Sequence, residues 1–104
     1  MDLALRVLRR GRSARITLTG DLDAYTVPRL RRALGSLIRG GATTLTVDME
    51  SVGYVDSFGA GSLVWVRRIL RRKGGSFSVL VGEGKIRRTL SFMGFRDILV
   101  LPRG

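Results

Sequence analysis

Ser57 lies in the segment Tyr54-Val55-Asp56-Ser57-Phe58-Gly59-Ala60-Gly61, which joins a strand-like run to a helical one. A hydroxyl in the first turn of a helix, with two small residues behind it, can carry a phosphoryl group without dismantling the fold. The N–H groups of such a turn and the positive end of the helix dipole stabilise an anion there. The same residues also have a purely structural use: Asp56 caps the helix, Ser57 faces water, and Gly59 and Gly61 permit close packing against a sheet. On residue types alone the structural use is the stronger reading.

Other chemistries are mostly excluded. The 104-residue chain has no cysteine and no histidine, which removes disulfides, thiolate zinc sites, cysteine nucleophiles and imidazole-dependent triads. No base, nucleophile pair or phosphate-cradling loop replaces them, so an enzyme is not expected. Gly59-Ala60-Gly61 lacks the third glycine of a dinucleotide fingerprint, because Val64 occupies that position. Gly84-Lys85 lacks both the earlier glycine of a phosphate loop, where Val79 stands, and the hydroxyl after the lysine. Asp21 and Asp23 are two carboxylates without further oxygen ligands, a pattern that serves turns or salt bridges; no metal and no cofactor is assigned. Tyr54 and Trp65 read as packing aromatics.

The elements that must position Ser57 follow from periodicity. Leu3–Leu8 and Ala14–Leu18 flank the turn-like Arg10-Gly11-Arg12-Ser13 and suggest a hairpin. Leu30, Ala33, Leu34, Leu37 and Ile38 form a helical stripe, with Thr26 as cap, Pro28 in the first turn and Gly40-Gly41 as the stop. Leu45, Val47 and Met49 alternate as a third strand, parallel to the second because a helix crosses between them. A helix follows from the Asp56 cap to Arg71-Arg72-Lys73, then a strand through Phe77, Val79 and Val81. A last helix carries Ile86, Leu90 and Met93 up to Gly94, and Ile98–Leu101 reads as a fifth, buried strand.

This order predicts one α/β domain over residues 1–104: a mostly parallel mixed sheet of about five strands, begun by an antiparallel strand and packed with about three helices. Leu34, Val47, Leu63, Val79, Leu90 and Leu99 are expected inside. Function should sit at the carboxyl ends of the strands, where Asp21, Asp23, Asp48, Glu50 and Asp56, five of the eight acids, are expected to gather into an acidic rim around Ser57.

The chain is otherwise strongly basic, with a net charge of +11 and runs such as Arg9-Arg10, Arg31-Arg32, Arg67-Arg68, Arg71-Arg72-Lys73 and Arg87-Arg88. Such a balance raises nucleic acid or an anionic surface as a partner. No groove-reading motif accompanies it, so specific nucleic-acid recognition is not expected, only weak, salt-labile binding. No stretch approaches the apolar length of a membrane span, and a cytoplasmic location is the default.

Asp56-Ser57-Phe58-Gly59-Ala60-Gly61 resembles the D-S-S-G-L-G signature of STAS domains, and Gly20-Asp21-Leu22-Asp23 with Thr26 is similar to their G-E-L-D segment. Leu45–Met49, Gly74-Gly75, Ile86–Leu90 and Met93-Gly94-Phe95 extend the likeness from about Leu3 to Leu101. The resemblance is to the anti-sigma factor antagonist type. It implies a phosphorylatable serine at Ser57, modified by a GHKL-type kinase that is also the anti-sigma factor and restored by a phosphatase. The unphosphorylated form would bind that partner and free a sigma factor for transcription. Asp21, Asp23, Thr26, Asp56, Ser57, Phe58 and Gly59 would form or border the partner-binding surface. Phe58 replaces the second serine of the signature and Ala60 its leucine, and the chain stops at Gly104, where many members continue into a C-terminal helix. Two other readings stand beside this one: a non-switching STAS subunit of a stressosome-like scaffold or lipid-transport complex, and a basic nucleic-acid-binding domain.

Overall fold

β1 (Leu3–Arg10) and β2 (Ser13–Leu22) pair as an antiparallel hairpin in which Arg10 faces Ser13. Gly11 takes the tight turn with φ of 59°, a conformation costly for any residue with a Cβ. In the computed structural model, which describes residues 2–102, there follow α1 (Val27–Arg39), β3 (Thr44–Val55), α2 (Ser57–Arg72), β4 (Ser76–Leu80), α3 (Lys85–Phe92), a 3-10 turn at Arg96–Ile98 and β5 (Leu99–Val100). The strands lie in the order β1-β2-β3-β4-β5, antiparallel in the first pair and parallel thereafter. This is the α/β architecture expected from the sequence.

Each parallel connection steps one strand further in the same direction, so right-handed crossovers carry all three helices to one face of the sheet. That face holds the core. Leu34, Val47, Leu63, Val79 and Leu90 are fully buried there, together with Ile16, Leu18 and Leu30. Leu99 departs from expectation: it is half-buried, and Val100 and Leu101 are exposed. β5 is a two-residue edge strand paired only with β4, so its apolar run reaches the rim of the sheet, not its interior. The opposite face is polar: Arg15 lies beside Thr46, Thr46 beside Ser78, and the Thr46 and Ser78 hydroxyls are 3.2 Å apart.

β3 is longer than its alternating pattern indicates because it is bulged twice against β2. Thr17 pairs with Asp48 but Thr19 with Ser51, and Gly20 pairs with Val52 but Asp21 with Tyr54. Each extra residue reverses the side-chain phase, which ends the clean alternation after Met49, and the second bulge falls at Gly53. Asp48 therefore does not belong to the rim. It is mid-strand, roughly 20 Å from the strand end, where one carboxylate oxygen accepts the Glu50 N–H at the first bulge and the other pairs with Arg15 at 3.4 Å. Glu50 is also within the strand, so the acidic rim is made by Asp21, Asp23 and Asp56. No helix of the described residues is long and apolar enough to cross a membrane.

Candidate functional site

The end of β2, the end of β3 and the first turns of α1 and α2 converge because both helices run back against the parallel strands. Asp56 joins these segments. Its backbone N–H donates to the Leu22 carbonyl at 3.1 Å, one carboxylate oxygen accepts the Gly59 N–H at 2.9 Å, and the other accepts the Ala24 N–H at 3.2 Å. It thus caps α2, as the sequence indicates, and also binds the loop before α1 to the start of α2.

That loop is closed by its own side chains. Asp23 accepts the N–H groups of Tyr25 and Thr26 at 2.9 and 3.1 Å, while the Thr26 hydroxyl donates to the Asp21 carbonyl at 2.8 Å and accepts the Asp23 N–H at 3.0 Å. Thr26 occupies the cap position of α1 but makes no side-chain cap bond to the helix, because its hydroxyl is committed to the loop. It is buried. Gly59 is buried too. A Cβ there would come within 2.6 Å of the Leu22 carbonyl oxygen and 2.9 Å of its Cγ, so the missing side chain is what lets α2 start directly on the end of β2. Of the seven residues expected at this surface, Thr26 and Gly59 shape it from behind. Ser57 and Phe58 are exposed, and Asp21, Asp23 and Asp56 are partly exposed.

Ser57 is the first residue of α2 and faces solvent. The other hydroxyl of this helix, Ser62, is fully buried and donates to the Gly59 carbonyl at 2.7 Å. Three aromatics stand around Ser57 on the segments that Asp56 ties together: Tyr25 is 91% exposed, Phe58 63% and Tyr54 53%. Large aromatics this open on one small rim are characteristic of contact surfaces. No local signal in the sequence marks Tyr25, and Tyr54, expected to pack, is instead exposed. The bulge at Gly53 turns Tyr54 outward, and the glycine within a strand was the available signal.

A family model described as "Mlab, STAS domain" matches residues 5–102. The chain belongs to the STAS domain family. This STAS domain is 27% identical to the anti-sigma-B factor antagonist of Staphylococcus aureus over 104 residues, covering all of this chain and 96% of that protein. It is likewise 27% identical to the anti-sigma-B factor antagonist of Bacillus subtilis over 99 residues, 95% of this chain and 90% of the other. The solved structure of the anti-sigma factor antagonist SpoIIAA in its unphosphorylated form superposes with a TM-score of 0.85 at 25% identity, covering 96% of this chain and 89% of that one. The Bacillus SpoIIAA in its phosphorylated form shares the fold with a TM-score of 0.79 at 24% identity, over 96% and 92% of the two chains. The relatives and solved structures that this STAS domain resembles over nearly their whole length are thus anti-sigma factor antagonists.

Proposed function

We propose that this STAS domain is an anti-sigma factor antagonist whose grip on its partner is switched by phosphorylation of Ser57. The observation that carries the reading is the contrast among hydroxyls near the signature: Ser57 is exposed at the N-terminal turn of α2, whereas those of Ser62 and Thr26 are buried and already bonded to carbonyls. A kinase can reach the first and not the others. Unphosphorylated, the rim offers Tyr25, Phe58 and Tyr54 as apolar anchors with Asp21, Asp23 and Asp56 beside them, which suits a partner presenting an apolar surface edged by cations. Phosphorylation adds about 1.5 to 2 negative charges. The helix N-terminus holds that charge within the fold, while the partner loses a close contact at the centre of the surface. A coupling of under 3 kcal/mol is enough for about a 100-fold loss of affinity. In this reading the kinase is a GHKL-type anti-sigma factor, a phosphatase restores the hydroxyl, the output is sigma-dependent transcription, and the protein works in the cytoplasm as one independent domain.

The experiment is incubation with the cognate kinase and ATP, phosphosite mapping, and binding measurements on Ser57→Ala and Ser57→Asp. The alanine variant should bind and resist phosphorylation, and the aspartate variant should fold normally and bind poorly. Phosphate on another residue, or equal binding by all forms, removes Ser57 from the mechanism. A second reading, a STAS subunit that docks a partner through this rim without phosphorylation, is favoured by Phe58: an exposed apolar side chain beside Ser57 gives a contact that needs no switch. Absence of phosphate transfer with retained binding selects it.

A further inference from the structure

The hairpin turn, the ends of α1 and α2 and the starts of β3 and β4 meet at the end of the molecule opposite Ser57. Thr43 and Thr44 donate their N–H groups to the Arg12 carbonyl, Ser76 donates to the Thr43 carbonyl, and the Arg9 guanidinium donates to the Gly40 carbonyl at the end of α1. These contacts bring Arg9, Arg10 and Arg12 of the hairpin together with Arg39 of α1 and Arg72 and Lys73 at the end of α2, all six exposed. Among the described residues none of the six lies within ion-pair distance of a carboxylate, and Asp97 is taken by Arg67 and Arg71.

Cations gather at helix C-termini for ordinary reasons, so the count decides. Each helix end carries about half a negative charge, and two ends offset about one of the six positive charges. The remaining excess, about five charges, has no counterpart among the described residues at this end of the molecule. We propose that this end docks the phosphate backbone of duplex nucleic acid without reading its bases. Five of the six cations are arginines, whose planar forks fit phosphate oxygens. Ser13, Thr44 and Ser76, exposed and in register across three strands, set hydroxyl donors between them. Single-stranded nucleic acid is the poorer fit because it needs aromatic platforms: of the exposed aromatics among the described residues, Tyr25, Tyr54 and Phe58 are at the Ser57 end and Phe92 is at the end of α3, and none is on the segments that carry the six cations. An anionic membrane is also the poorer fit, since among the described residues the large apolar side chains exposed near the turn are Val7 and Leu8 alone. The surface is independent of the switch. The molecule measures 32 × 26 × 25 Å, well beyond the Debye length of about 8 Å at physiological salt.

Fluorescence anisotropy with a short labelled duplex, titrated between about 50 and 200 mM salt, tests this. Binding should be indifferent to sequence, with log affinity falling against log salt at a slope of about 4 to 5. The double variant Arg12→Gln/Arg72→Gln should lower that slope by about 2. Lys85→Gln/Arg88→Gln removes the same charge from α3 and should leave the slope unchanged, and thermal melting confirms that both variants fold. Equal losses from the two double variants would assign the effect to diffuse net charge and overturn the proposal. So would tighter binding to the matching single strand, capture by phosphatidylserine-rich vesicles without duplex binding, or no duplex binding at the lowest salt.

Discussion

The two ends of this small sheet are built on different principles. At the Ser57 end, hydrogen bonds accepted by Asp23 and Asp56 and donated by Thr26, with one glycine contact, fix the backbone, and only a few charges are present. At the hairpin end, cations crowd with few partners, and among the described residues the only side-chain bonds given by the six are those of Arg9 to the Gly11 and Gly40 carbonyls. Shape is what the first end supplies to a partner, and charge is what the second supplies. Substitutions of exposed side chains should therefore act on specific affinity at one end and on salt dependence at the other, while both ends keep a backbone that resists change, as Gly59 against Leu22 and Gly75 against Thr43 show.

The largest effect is expected from Gly59→Ala. The new methyl meets a backbone oxygen of β2 that cannot move without shifting the strand, so the domain should lose about 3 kcal/mol or more, read as a fall in melting temperature on the order of 15 °C. A variant that melts like the parent would show that the two elements are not held in contact as described. Asp56→Ala comes next. It removes the cap of α2 and the tie to Ala24, and urea denaturation should register a loss of about 1 to 2 kcal/mol.

Tyr25→Ala separates stability from recognition within the Ser57 end. The side chain is almost wholly exposed, so unfolding should stay within about 0.5 kcal/mol of the parent. Affinity for the anti-sigma partner should drop about tenfold or more if the ring is an anchor. The smallest effect is expected at the other end: Arg39→Gln should change neither the melting temperature nor the partner affinity measurably, because its guanidinium pairs with no carboxylate among the described residues.

Most of the scaffold was legible in the sequence because its signals are local. The stripe from Leu30 to Ile38, the alternation from Leu45 to Met49 and the glycines after each helix depend on neighbours in the chain, and each element stands where those residues place it. The signature around Asp56 was legible in the same way. What depended on pairing across the sheet was not. The bulges of β3 moved Asp48 out of the expected rim and turned Tyr54 outward, and no count along one strand reveals a residue inserted against its neighbour. The half-exposure of Leu99 has the same origin, since an apolar run does not say whether its strand lies at the edge. Thr26 illustrates a third kind of miss: the residue stands at the cap position, but its hydroxyl turned to the Asp21 carbonyl, a competition settled only by the loop's closed geometry.

The central claim is that a single exposed hydroxyl governs binding at a rim whose fold does not change. The direct measurement is calorimetric titration of the anti-sigma partner with the domain before and after stoichiometric phosphorylation of Ser57, with a thermal melt of both forms. The predicted result is an affinity about 100-fold lower for the phosphorylated form, with melting temperatures that agree closely. Equal affinities for the two forms, or a phosphorylated form that has lost its cooperative melt, would contradict it.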